Sequence, residues 1–479
     1  VSDVGLNAAV SGILADQAEL DTTAENLSNA QTQGYAAERV SLDALSPASP
    51  NGVGQGVLIG AVTQKTSPLY EQLNLIAQGA LGAANETAAV ATAAQQAFPE
   101  PSSSGLQSQL SQLWTDLSAL ASSPANGAAS TSVIEDLSGV ATTLNSMYST
   151  LTTTANQLGL ELTGSGAGSG LLGQANRLIS EVAQLNVGIV AGNSGGLDTN
   201  ALQDKQRNAL AELAGLIGIR TTTESSGAVD VYAASISLVQ GSTATSLALN
   251  GSVAASNLSL ETANGVSVSA GGQIGALLNG ITTTIPSYLG QLSDIADSLA
   301  SSFNTLQAGG VSTNGTPGPA SPAASGWLGP TLPSVFVNNG SPSTYTPGAT
   351  AAATIALNPS LLAAPSLLAT AGGNATAGIS TIDPATIQQM AALGQQAGGP
   401  NDLYQSLIGT VGTKAQAAQS DQTNAKSVAS STAADLANAE GVNSDQETIN
   451  MLSAQRDYQA MAQVINAMNQ SLQALLQAV

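Results

Sequence analysis

The chain has 479 residues, with 31 Asp and Glu against 9 Lys and Arg, no His and no Cys, for a formal net charge of −22. That composition excludes disulfides, thiol and imidazole catalysis and zinc sites of the usual ligand sets, and it repels phosphate backbones, so no nucleic acid is expected as a partner. With 8% charged and 3% aromatic residues, the surface has to be built from neutral polar groups, and the length suggests two to four domains.

The first residues, Val1 to Leu20, carry neither a basic cluster nor a continuous apolar run, so they do not read as a cleaved secretory signal. No stretch reaches the roughly 18 uninterrupted apolar residues of a membrane span, and none is expected. Leu6, Val10, Ile13, Gln17, Leu20, Ala24 and Leu27 recur at spacings of four and three, which predicts an amphipathic helix. The cluster from Asn26 through Asn29 to Gly34 and Tyr35 ends it, with Gly34 setting the turn and Tyr35 anchoring it. Arg39 to Leu42 and Val53 to Val62 read as extended segments, and Lys65 to Pro68 closes this first region, residues 1–68.

Residues 69–217 read as a helical bundle, with breaks near Pro99, Pro124, Gly164 and Gly192. Its seams are Leu106, Leu110, Leu113, Leu117 and Leu120; then Val133, Leu137, Val140, Leu144, Met147 and Leu151; then Leu171, Ala175, Leu178, Val182, Leu185 and Ile189. Within it, Asp198, Asp204 and Glu212 beside Lys205 and Arg207 read as a solvated helix face. At Gly218 the period shifts towards two, and residues 218–272 read as a small inserted β domain. A long return helix follows over 273–308, with Pro286 as a candidate kink. Half of the 18 prolines fall between Pro317 and Pro365, so residues 309–382 are either a second β-rich insertion or a surface loop region. Helix returns over 383–479, with a turn at Gly441-Val442-Asn443. The last helix carries a heptad seam, Met451, Ala454, Tyr458, Met461, Ile465, Met468, Leu472, Leu475 and Val479, flanked by few charges. The two terminal stripes are candidate partners, and Arg456 and Asp457 beside the second are candidates for pairing across subunits. The expected fold is therefore mainly α with inserted β: an elongated multi-domain protein with paired N- and C-terminal helices, a helical bundle and small central β-rich domains.

The small-residue helix containing Ala8-Ala9-Val10-Ser11-Gly12-Ile13, the Asn26-Leu27-Ser28-Asn29 turn and Gly34-Tyr35 resemble the N-terminal signature of the axial proteins of the bacterial flagellum. Ser237 to Ala244 and Gly441 to Glu447 resemble the hook-associated members of that group. The resemblance implies a structural, non-enzymatic subunit without cofactor or metal at the junction of hook and filament, exported without a cleaved signal. It also implies a homo-oligomeric ring, contacts with the hook protein and other hook-associated proteins, and a cytoplasmic export chaperone on the C-terminal helix. The residues it assigns to subunit contacts are Leu6, Val10, Ile13, Leu20, Leu27, Asn29, Gly34 and Tyr35 at one end, and Met451, Tyr458, Met461, Ile465, Met468, Leu472 and Leu475 at the other. Alternatives are a hook or distal rod protein, or a secreted enzyme or adhesin carrying flagellar-type ends, with its activity in residues 218 to 375.

Overall fold

A computed structural model describes residues 2–32, 34–46, 54–166, 168–341, 344–379 and 383–478. Val1, Val53 and Val479, which entered the sequence argument, lie outside the described residues. Helix α1 (Ser2–Asn29) is followed by a two-stranded antiparallel ribbon, β1 (Glu38–Ala44) and β2 (Val57–Gln64), in which Arg39 pairs Thr63 and Leu42 pairs Ile59. Five helices then make the bundle: α2 (Pro68–Gln95), α3 (Leu106–Ser122), α4 (Gly127–Thr163), α5 (Leu171–Gly195) and α6 (Asn200–Ile217).

The bundle forms because leucine recurs once per turn on the faces that meet. Leu106, Leu110, Leu113, Leu117 and Leu120 of α3 are all buried, and so is the whole predicted seam of α4. On α5 the centre of the buried face is Ala175, Ile179, Val182, Asn186 and Ile189, with Leu178 and Leu185 at its margin. The predicted seam was turned towards those two leucines because a buried Asn leaves no hydrophobic signal. Where α2 meets α6, glycine permits backbone contact: a Cβ at Gly82 would lie 2.1 Å from the Gly215 carbonyl oxygen.

Strands β3 (Arg220–Thr223), β4 (Val229–Ala233), β5 (Ile236–Gln240) and β6 (Thr243–Ala244) form an antiparallel meander, and β7 (Leu247–Asn250) pairs β8 (Ser259–Thr262). These strands have no core of their own. Val231, Leu238, Val239 and Leu260 join the continuous apolar core that includes Leu144 and Leu213 of the bundle. The return helix starts as α7 (Gly272–Asn279), passes through a π turn at Gly280–Thr284 and continues as α8 (Ile285–Gly309). The π turn lies immediately before Ile285-Pro286 and accommodates the missing proline N–H without ending the helix.

The proline-rich stretch is neither a loop region nor a separate β unit. It folds as β9 (Val311–Ser312), β10 (Phe336–Asn338), α9 (Ala351–Thr354), β11 (Ile355–Leu357), α10 (Pro359–Ala363) and β12 (Ala369–Ala371), packed on α4 and α8. Phe336, Ile355, Leu361 and Leu368 are buried in the bundle's core. Prolines shorten its elements, while the apolar residues between them supply the packing. Finally α11 (Ala385–Ala392) leads to α12 (Pro400–Glu440), which runs alongside α2, and to α13 (Ser444–Ala478). Asn443 caps α13 by accepting from the Asp445 and Gln446 amides, both at 3.1 Å.

One device recurs wherever a helix holds a non-helical segment. Asn176 donates to the Leu247 carbonyl (2.9 Å) and accepts from the Leu247 amide (2.7 Å). Asn186 does the same to Val229 (2.9 and 2.9 Å) and Asn304 to Phe336 (2.9 and 2.8 Å). Gln307 bridges the Leu367 carbonyl and the Ala369 amide at 2.8 and 2.9 Å. A primary amide presents one donor and one acceptor in the geometry of a peptide, so each side chain stands in for a neighbouring strand and satisfies backbone groups that burial would otherwise leave bare.

Candidate functional site

The terminal helices α1 and α13 lie antiparallel against each other. A Cβ at Gly5 would sit 2.4 Å from Cε of Met468, and one at Gly12 would sit 3.1 Å from Cε of Met461. The pairing expected from the sequence is therefore present, but the face of α1 that makes it differs from the expected one. Toward α13 lie Gly5, Gly12, Asp16 and Glu19, on a heptad shifted by one residue from the stripe of large side chains, and Ala9, Thr23 and Asn26 of the same heptad are buried. Long, flexible methionine side chains of α13 seat over glycine and alanine, which lets the two backbones approach closely. The larger residues of α1 are displaced to the flank.

Consequently Val10, Leu14 and Leu27 are exposed, at 43%, 53% and 39%, while Leu6, Ile13 and Leu20 are half-buried. On α13, Ala454 is buried and Met451, Met461, Ile465, Met468 and Leu472 are half-buried; Tyr458 is exposed, as are Leu452 and Val464 outside the seam. Leu475 lies in α13, but its side chain is outside the described residues. Asp457 faces Asp16 and Glu19, whose carboxyls are pushed up first by burial and then by these like charges. Arg456 is exposed.

An anchor joins this helix pair to the bundle. Asn26, 1% exposed, donates to the Glu38 carbonyl (2.8 Å) and accepts from the Glu38 amide (2.8 Å) and from the Tyr35 hydroxyl (2.9 Å). The turn between α1 and β1 thus closes around a buried amide, another instance of the Asn clamp. Gly34 has φ +78°, and a Cβ there would meet the Asn208 side chain on α6 at 2.1 Å, so the position demands glycine twice over. Asn29 is peripheral: it donates to the Glu25 carbonyl and accepts from the Thr32 hydroxyl.

From α6, Asn200 donates to the Val62 carbonyl and Asp204 accepts from Gln64 at 2.8 Å; Arg207 donates to Gln64 at 2.9 Å and pairs with Asp204. Arg207–Asp204 is the one ion pair among the described residues, and both side chains are less than one-fifth exposed (16% and 17%). The reading of Asp204 and Arg207 as a solvated helix face is corrected: β2 covers them. Glu38 and Glu440 are buried, and burial above all raises their carboxyls to about 6 and about 7 respectively. Asn26, Glu38, Gln64, Asn200 and Glu440 were absent from the sequence-derived contact residues, because a polar residue that matters through burial has no periodic signature. The Asn-rich turn motif was the only pointer, and Asn26 rather than Asn29 carries it.

Elsewhere the surface offers little for chemistry. A groove of about 650 Å³ between α2 and α12 is lined by alanines and by Asn85, Thr92, Gln416, Gln419 and Gln422. Another of about 440 Å³ beside the α4–α5 connection holds Arg177, Asn176 and Ser180. Among the described residues no group of three His, Cys, Asp or Glu is placed to hold a metal ion, and no helix is long and apolar enough to cross a membrane.

Residues 91–320 match the family model of the flagellar hook-associated protein FlgK helical domain, and residues 437–478 match that of the flagellar basal body rod FlgEFG protein C-terminal region. Both matches fall on flagellar axial proteins, and the larger one, over just under half of the chain, is to the hook-associated FlgK model. Curated relatives include flagellar hook-associated protein 1 of Bacillus subtilis, 28% identical over 47% of this chain and 45% of that protein. The protein of the same name from Escherichia coli is 26% identical over 65% of this chain and 58% of that one. The chain thus spans about half the length of the curated relatives it matches. A solved structure, the flagellar hook junction protein FlgK from Burkholderia pseudomallei, superposes with a TM-score of 0.58 over 75% of this chain and 98% of that one, at 15% identity. At that identity the likeness concerns the fold: mainly helical, elongated, with small inserted sheets. The two family models together take in α3 to α8 with the strands between them, and α13, one half of the terminal pair.

Proposed function

We propose that this protein is a structural subunit of the bacterial flagellum that joins hook to filament, polymerising through α1 and α13. The observation that carries the reading is the close pairing of the two terminal helices, which leaves Val10, Leu14, Leu27, Leu452, Tyr458 and Val464 exposed along it. Large apolar side chains left on the outside of a helix pair suit a protein contact, and their position on the paired ends suits lateral packing of like subunits in a tube. In that assembly Leu6, Val10, Ile13, Leu20 and Leu27 meet neighbouring subunits together with the exposed side of α13, and Asn29, Gly34 and Tyr35 act by shaping the turn that orients α1. Arg456 is free to reach a neighbour's acidic groups. The same exposed stripe on α13 is what an export chaperone would cover before assembly, and hook protein and other hook-associated proteins are the axial neighbours. The role is structural and non-enzymatic, and the chain reaches the flagellum through its export channel. Deleting the gene in its motile host tests this: complete hooks without filaments and flagellin shed into the medium are expected. Missing hooks would move the role to rod or hook, and normal filaments would overturn it.

A further inference from the structure

Three connections join the terminal helix pair, the ribbon and the bundle, and they serve as its crossings: residues 35–38 lead from α1 into β1, 64–67 from β2 into α2, and 440–443 from α12 into α13. Glu440, the last residue of α12 and 5% exposed, bonds to both of the other crossings. Its main-chain carbonyl accepts from the Ala37 amide at 2.8 Å, and its carboxylate Oε1 accepts from the Ser67 amide at 2.6 Å. The Lys65 amide donates to the Ala37 carbonyl at 2.8 Å and closes the set.

We propose that Glu440 is a latch that fixes the terminal helix pair against the bundle, and that ionisation of its buried carboxyl loosens the joint. A carboxylate enclosed at a three-way crossing has to be desolvated, and its surroundings compensate it only in part. Glu71 on α2 repels it, while Arg207 on α6 and Lys65 after β2 attract it; Arg207 is already engaged by Asp204 and Gln64. Around them stand Tyr35, Glu38 of β1 and Glu447 of α13, with Glu25 of α1, Asp198 and Asp204 acting on Tyr35 and Glu38. Burial is the largest influence on the Glu440 carboxyl and raises it to about 7. The group is therefore easier to protonate folded than unfolded: its stabilising contribution is fully present below its ordinary value of 4.5 and is lost as pH rises through about 7. The neutral acid still accepts the Ser67 bond through its carbonyl oxygen, so acid leaves the latch closed. Above neutrality the buried anion favours separation of the crossings.

The absence of cysteine makes the test direct. Ser427→Cys on α12 and Ser453→Cys on α13, both exposed, place one spin label on each side of the joint in the full, monomeric chain. The distance distribution is then measured at about pH 5 and about pH 8, on either side of the expected transition. A single narrow distribution at the lower pH and one at least twice as broad at the higher pH are expected, with Glu440→Gln narrow at both. Hydrogen exchange at the Ala37 and Ser67 amides, corrected for intrinsic pH dependence, should quicken at least tenfold over the same interval in the wild type and not in Glu440→Gln. Equal widths at both pH values, or a Glu440→Gln chain that broadens as the wild type does, would overturn the proposal. Because the chain is studied as a monomer, these outcomes are independent of whether it assembles at a hook–filament junction.

Discussion

Replacing Asn26 by Ala should detach the β1–β2 ribbon from α1 while leaving the bundle intact. The side chain is 1% exposed and makes three hydrogen bonds. Its removal leaves the Glu38 amide and carbonyl buried without partners, at about 1–3 kcal/mol for each orphaned group, whereas the half-buried Tyr35 hydroxyl can turn to water. The sum is about 2–6 kcal/mol, paid locally, because Asn26 contributes nothing to the leucine core. At 1.4 kcal/mol per decade that predicts exchange of the 38–44 and 57–64 amides faster by roughly 30- to 20,000-fold. Asn26→Asp keeps the shape but turns a donor into an acceptor facing the Glu38 carbonyl, and it should be worse at pH 7 than Ala. Hydrogen exchange read by mass spectrometry reports the ribbon. Trp114, stacked on Phe303 in the bundle with ring centroids 6.2 Å apart, reports the bundle by its fluorescence in urea. Ribbon protection unchanged within about threefold, or a bundle midpoint that falls by the full amount, would refute the reasoning. The second outcome would mean that anchor and bundle unfold as one unit.

Gly82→Ala brings a Cβ to within 2.1 Å of the Gly215 carbonyl oxygen and should cost about 1–3 kcal/mol of strain against a helix-propensity gain of about 1; a melting temperature at or above wild type would contradict the close α2–α6 approach. Glu86, nine-tenths buried on α2, has its carboxyl raised to about 7 by burial and then by Glu161. Its stabilising contribution is present below about 4.5 and is lost as pH rises through about 7, so the advantage of Glu86→Gln over wild type in urea midpoint should grow between about pH 5 and pH 8. An advantage that stays constant would dismiss Glu86 as a source of pH dependence. Leu14→Asp with Val464→Asp, both on the exposed side of the terminal pair, should leave helicity and melting temperature within experimental error of wild type yet give cells that shed flagellin. Normal filaments in that strain would remove the apolar flank from the assembly surface.

The parts of this fold legible in the sequence are those in which leucine marks the buried face. The seams of α3 and α4 follow directly from their spacing, and the breaks near Pro99, Pro124 and Gly164 fall between the helices they were expected to separate, while α5 runs past Gly192 to Gly195 before it ends. Legibility fails where contact is made by residues with little side chain or by polar ones. The stripe of Leu6, Val10 and Leu27 is the most hydrophobic line on α1, but Gly5, Ala9 and Gly12 form the closest interface, because small residues let methionine-bearing α13 come nearer than leucine would. The strands between 218 and 272 alternate as strands should, yet nothing in their alternation reveals that they share the bundle's core. The segment from 309 onwards looks open because proline excludes long elements, while its anchorage combines scattered buried side chains, Phe336, Ile355, Leu361 and Leu368, with the clamps of Asn304 and Gln307, none of which stands in a periodic pattern. The anchor at Asn26, Glu38 and Glu440 is hidden for the same reason.

The amide clamps have a consequence for where such a molecule can work. An ion pair at the surface weakens as salt shortens the Debye length, from about 10 Å at 0.1 M towards about 3 Å at 1 M, and it vanishes when pH neutralises either partner. Asn26, Asn176, Asn186, Asn304 and Gln307 carry no charge and do not titrate, so the bonds by which they hold ribbon, meander and proline-rich segment in place are the same in fresh water and in brine. In the flagellar role proposed above, the chain has no cytoplasm to buffer it. Its low content of charged residues, which at first only excludes functions, is then also a form of tolerance: most of the ties that set its shape are ones that the surrounding medium cannot loosen.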